Sequence, residues 1–177
     1  MKKLNLFALS LISILLFQAC EGPPGPPGLP GIDAVNIVSR TFEERINFTA
    51  TNNYSDRLRF TQPIEEGDVV LVFVKWEEDD GARSIWRALP QTVFFDERIV
   101  LIYNYDFTNI DFTLFLEGTV DLTTLGPEWI TDQLFRVIVL PGDFASSRID
   151  FTNYEAVTAM LGLKNEDFKR PEIRTKK

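Results

Sequence analysis

The apolar residues of this chain recur at every second position, and that period governs what it can fold into. Ile99, Leu101, Tyr103, Tyr105 and Phe107 share one parity of a first run; Ile110, Phe112, Leu114 and Leu116 share one parity of a second. Thr108 and Asn109 stand between the runs, where a hairpin turn belongs. An extended strand sends successive side chains to opposite faces, so each run has one oily and one wet face. The pair predicts an antiparallel hairpin lying half-buried on a core. Its aromatic ladder reads as core packing rather than as a ligand platform.

The same period appears along most of the chain. In residues 40–49, Phe42, Ile46 and Phe48 fall on one side, with Glu44 interrupting the apolar face near an edge or bend. Residues 51–56 form a polar turn cluster, and a short strand around Leu58 and Phe60 precedes Pro63. Residues 68–76, D-V-V-L-V-F-V-K-W, are apolar on both parities, which calls for a central strand covered on both faces. The acidic stretch 77–80 and Gly81 then turn the chain into a return strand over 84–89, with Trp86 on one side and Ile85 and Arg87 on the other. Pro90 interrupts before a β-rich run at 92–95. Leu122 and Leu125 are expected to dip back onto the core from the connection 118–129, and 133–140 is the last strand. Strands separated by turns, without an intervening helical pattern, specify an all-β chain built as an antiparallel β-sandwich.

The period changes once. Thr152 to Glu155 has capping-box spacing, and Phe151 and Ala156 can form a hydrophobic staple. Ala156, Val157, Met160 and Leu161 make a helical stripe that Gly162 and Leu163 close. This predicts one short C-terminal helix across the sandwich. The sandwich is assigned to residues 32–168, with a charged flexible tail at 169–177; fraying is expected from Lys164 onward.

Residues 1–19 have the parts of an export signal: Lys2 and Lys3, an apolar run over 4–17, and the small residue Ala19 ahead of Cys20. The apolar run is too short to cross a bilayer comfortably as a permanent helix. An ordinary secretory signal with an incidental cysteine is one reading. The other is a lipoprotein signal, because Ala19-Cys20 resembles the lipobox of bacterial lipoproteins, although Phe17 and Gln18 depart from its stricter form. That resemblance implies acylation of Cys20, attachment to a membrane through the lipid, and residence in the cell envelope at the outer membrane, its periplasmic or outer face unassigned. From Gly22 to Gly31 glycine holds every third place, the collagen repeat. Residues 20–31 therefore form the anchor and a stiff polyproline II spacer of roughly 3.1 Å per residue. A collagen trimer is the competing reading, but so short a block gains few interchain contacts. The strings W-R-A-L-P-Q-T-V-F, Y-N-Y-D-F-T, L-F-L-E-G, Q-L-F-R-V-I-V-L-P-G and Y-E-A-V resemble a group of uncharacterised Gram-negative lipoproteins that carry a collagen-like segment after the lipid cysteine. This implies a shared β-rich domain of unknown function and brings no catalytic or binding residue with it.

The chain has no histidine, one cysteine and a net charge of -8. A hydrolytic triad or a His-ligated metal cannot be built from that set, and an internal disulfide cannot form. The negative surface disfavours nucleic acid as a partner. Neither a cofactor nor a metal site is assigned, since the acids at 77–80 lack the spacing of a calcium loop. Among the acids that a hydrolase could use, Asp96, Asp106, Asp111 and Asp150, no pair stands out; Asp106 and Asp111 read as solvent-facing strand ends. Trp76, Trp86 and Trp129 are the candidate ligand-stacking residues, should the sandwich bind glycans, although each has a strand or loop position where burial is the commoner fate. The expected role is non-catalytic, a binding or assembly component of the envelope with a protein or glycan partner. A glycan-binding module and a carboxylate hydrolase are the alternatives.

Overall fold

The computed structural model describes residues 40–144 and 148–169; the expected export signal at 1–19, Cys20 with the expected spacer at 20–31, the first residues assigned to the sandwich and the tail from 170 onward lie outside the described residues. Among the described residues eight strands form two antiparallel sheets of four, β1 (Arg40–Ile46), β8 (Gln133–Leu140), β3 (Val69–Glu78) and β4 (Ser84–Ala88) in one, and β2 (Ser55–Arg59), β7 (Asp111–Gly118), β6 (Val100–Phe107) and β5 (Gln91–Phe94) in the other. The sheets pack face to face as a sandwich. Its inner layer is filled from both sides, by Phe42, Val72 and Phe135 of the first sheet and Leu101, Phe112 and Leu114 of the second. Burying side chains of this size stabilises by about 1.5–3 kcal/mol each before entropy is counted.

The hairpin with the clearest alternation forms β6 and β7, with Tyr103 opposite Leu116, Tyr105 opposite Leu114 and Phe107 opposite Phe112. Its middle is buried, whereas Ile99, Phe107 and Ile110 at its ends are exposed. The first two strands pair with the last two, β1 with β8 and β2 with β7. Both sheets therefore depend on strands far apart in sequence, an arrangement that raises contact order.

Strand β3 lies between β8 and β4 and is covered on both faces, as its double parity requires. Val70, Val72 and Val74 enter the inner layer, while Phe73 faces a second, smaller core with Trp86 and Ile138. That outer core is closed by helix α1 (Tyr154–Leu161) and a 3-10 turn over Asn165–Lys169, which contribute Val157 and Phe168. At the far end of β3 a bulge shifts the register between Lys75 and Glu77.

Two expectations are corrected around α1. The helix is capped by Asn153, whose side chain accepts from the Ala156 amide, and Thr152 instead donates to Asp150. Asparagine and threonine cap comparably well, so spacing alone did not choose between neighbours. Gly162, at φ +65°, closes the helix as expected. The stretch after it does not fray up to Phe168, because that ring is fully buried and the Asp167 carbonyl accepts from Thr41 on β1.

Candidate functional site

In β8 the residues alternate between the two cores. Phe135, Val137 and Val139 point into the inner layer, and Arg136 lies on the outer side with Ile138. A guanidinium in such a place must recover its lost hydration from partners. Arg136 is 5% exposed, and its Nε donates to Glu43 Oε1 at 2.8 Å from the directly opposed position on β1. Its Nη1 donates to the Tyr154 hydroxyl and, at 2.9 Å, to Asn165 Oδ1. The guanidinium carbon also lies 4.2 Å from the Trp86 ring centre and 4.3 Å from that of Phe168. One side chain thus joins β1, β4, β8, α1 and the last 3-10 turn through charge-assisted hydrogen bonds and cation–π contacts.

Outside this cage a groove of about 630 Å³ opens between the β3–β4 turn and the start of α1. Trp86, Arg136 and Tyr154 line it with Ser84, and Asp79, Arg83 and Glu155 bring charge to it. The turn is built on the Asp79 carboxylate, which accepts from the amides of Gly81 and Arg83 and from Arg83 Nε. These bonds, the Arg83 amide first and its guanidinium next, hold Asp79 below the usual carboxylate range. Burial pushes the Tyr154 hydroxyl above the ordinary phenol value against the opposing pull of Arg136, so it is a neutral donor at physiological pH.

The three tryptophans are divided between the cores. Trp86 is buried in the outer one, stacked on Tyr154 at 5.5 Å and 27°. Trp76 and Trp129 meet at the edge of the inner layer, with ring centres 6.2 Å apart. Their faces are engaged by protein groups: the Arg87 guanidinium lies 4.3 Å over Trp76, and Phe95 packs edge-on against Trp129 at 5.2 Å. Beneath them Tyr103 donates to the Trp129 carbonyl at 2.7 Å. Burial, with a smaller contribution from Glu128, raises the Tyr103 hydroxyl far above its ordinary range.

The four acids considered for hydrolysis are scattered among local roles. Asp96 accepts from the amides of Arg98 and Ile99, and Asp150 from Thr152. Asp106 is exposed as expected, but Asp111 is not: it is 4% exposed, paired with Arg57 at 2.7 Å and bonded to Thr108 at 2.7 Å. A strand-end carboxylate can be buried here because the turn hydroxyl and the Arg57 fork replace its water. Among the described residues no group of three or more acids or thiols is placed to hold a metal ion.

Arg136 and Tyr154 were not singled out from the sequence. A usable signal for the first was a lone cation inside the apolar run Q-L-F-R-V-I-V-L; for the second, Tyr154 lies three and seven residues before Val157 and Leu161 on the helix. Compared with protein families, with characterised proteins and with solved structures, the chain matches none.

Proposed function

We propose that this chain is a lipid-anchored protein of the bacterial cell envelope, held at the outer membrane through Cys20, whose sandwich acts by binding or assembly rather than by catalysis. The observation that carries the reading is the position of the only cysteine, directly after Ala19 and downstream of an apolar run that two lysines precede. The glycine-proline repeat that follows suits a stiff tether between lipid and domain. The non-catalytic part draws support from how the charged groups are used. Arg136 is matched by Glu43, Arg83 by Asp79 and Asp111 by Arg57, which leaves these groups engaged in holding the fold.

Metabolic labelling with a fatty-acid analogue tests the anchor in cells expressing the native chain and Cys20→Ala. Label on the native chain alone, with the variant leaving the membrane fraction or keeping its signal, is the expected result. Equal labelling and equal fractionation of the two would sink the anchored reading. Protease treatment of intact cells then tells the outer face from the periplasmic one.

A further inference from the structure

The groove beside Arg136 has hydrogen-bonding groups that the fold leaves unused. Its volume, about 630 Å³, lies within the roughly 300–1,000 Å³ typical of small-ligand sites. Its cations are already balanced, Arg136 by Glu43 and Arg83 by Asp79. Glu155 is exposed and forms no ion pair among the described residues, so an anionic ligand would meet net repulsion at the rim. A bare cation would meet two guanidiniums. What the groove offers is uncharged chemistry. The Tyr154 hydroxyl accepts from Arg136, while its own proton has no acceptor among the described residues, and the Ser84 hydroxyl has no side-chain partner there. The Glu155 carboxylate adds strong acceptors, and Trp86, Ile85 and Ala82 supply apolar wall.

Donors, acceptors and an apolar wall without net positive charge suit a ligand that is neutral, rich in hydroxyls and apolar on its C–H faces. We propose that this groove is a binding site for an uncharged saccharide, with Tyr154 donating, Glu155 accepting, and Ser84 and the edge of Trp86 lining the bound ring. The proposal rests on the binding role given above and is independent of the lipid on Cys20.

The test uses the full chain in a polyoxyethylene detergent, free of sugar headgroups, applied to an array of neutral and of sialylated or sulfated oligosaccharides. Hits are then titrated by calorimetry. Binding to neutral members is expected, weakened roughly tenfold by Glu155→Ala and by Tyr154→Phe, since each removes a hydrogen bond to the ligand. Glu155 is exposed, so its variant loses only the small favourable interaction of an acid with the helix N-terminus, stays folded and remains informative even where Tyr154→Phe loosens the cage. Three results would overturn the proposal: no binding of any neutral member at millimolar concentration, a preference for the anionic members, or binding that Glu155→Ala leaves unchanged. None of them bears on the anchor, which the labelling of Cys20 decides separately.

Discussion

The guanidinium of Arg136 sits 4.2 Å from the centre of the Trp86 ring, inside a core that also holds Val157 and Phe168. The relationship means that the helix is fastened to the sheet by a buried charge as well as by apolar packing. Removing one member of such a pair strands the other. Arg136→Ala is expected to cost about 3–5 kcal/mol, read from urea midpoints. Arg136→Met combined with Glu43→Gln should recover a good part of that loss, because neither partner is then left charged. A double variant no more stable than Arg136→Ala would count against the cage as an electrostatic unit.

Asp111 and Asp106 are five residues apart, yet one is buried and the other exposed. Asp111→Ala should destabilise by about 2–4 kcal/mol, since it leaves Arg57 and Thr108 without their acceptor. Asp106→Ala should stay within about 0.5 kcal/mol of the native chain. Equal effects at the two sites would contradict the burial of Asp111.

Backbone conformation makes a second contrast. Gly118 has φ +138°, and a Cβ there would stand 2.1 Å from the Val100 carbonyl oxygen, so Gly118→Ala is expected to cost more than about 3 kcal/mol. Ala82, in the β3–β4 turn, holds φ +57° with a Cβ it does not need. Ala82→Gly should therefore be neutral or stabilising by up to about 1 kcal/mol. Thermal denaturation of both variants checks the pair, and a marked loss in Ala82→Gly would mean that the turn is held in another conformation.

Stability should fall on both sides of neutral pH. Asp79, Asp121 and Asp150 are held below their ordinary value of 3.8, by bonds from Arg83, Thr123 and Thr152 respectively. With folded values below unfolded ones, their contribution is present above about pH 4 and is lost as pH falls through the folded values. Tyr103, Tyr105 and Tyr154 are raised, by burial first in each case. Their contribution is complete below about pH 10 and is lost as pH rises further. Phenolate absorbance from these three should appear together with loss of near-ultraviolet circular dichroism; its appearance in a still-folded protein near pH 10 would contradict their burial.

The strands, their parities and the sandwich were legible in the sequence because period-two alternation is a local consequence of half-burial. Each strand reports its own wet and oily faces without reference to its partners, and the run at 68–76 announced a second covered face in the same way. The order of strands was not legible. That β8 lies between β1 and β3, and that β4 and β5 fall in different sheets, depends on pairings across as many as about a hundred residues, which no local pattern encodes. The cage around Arg136 and the groove beside it were hidden for the same reason. Arg136, Trp86, Tyr154 and the cage carboxylate of Glu43 come from four separate segments, and each alone looks like an ordinary strand or helix residue. The sequence by itself therefore determined which faces had to be covered. Only the tertiary structure decided that a helix would cover one of them around a buried arginine, because the hydration lost by that charge is recovered only where distant segments converge on it.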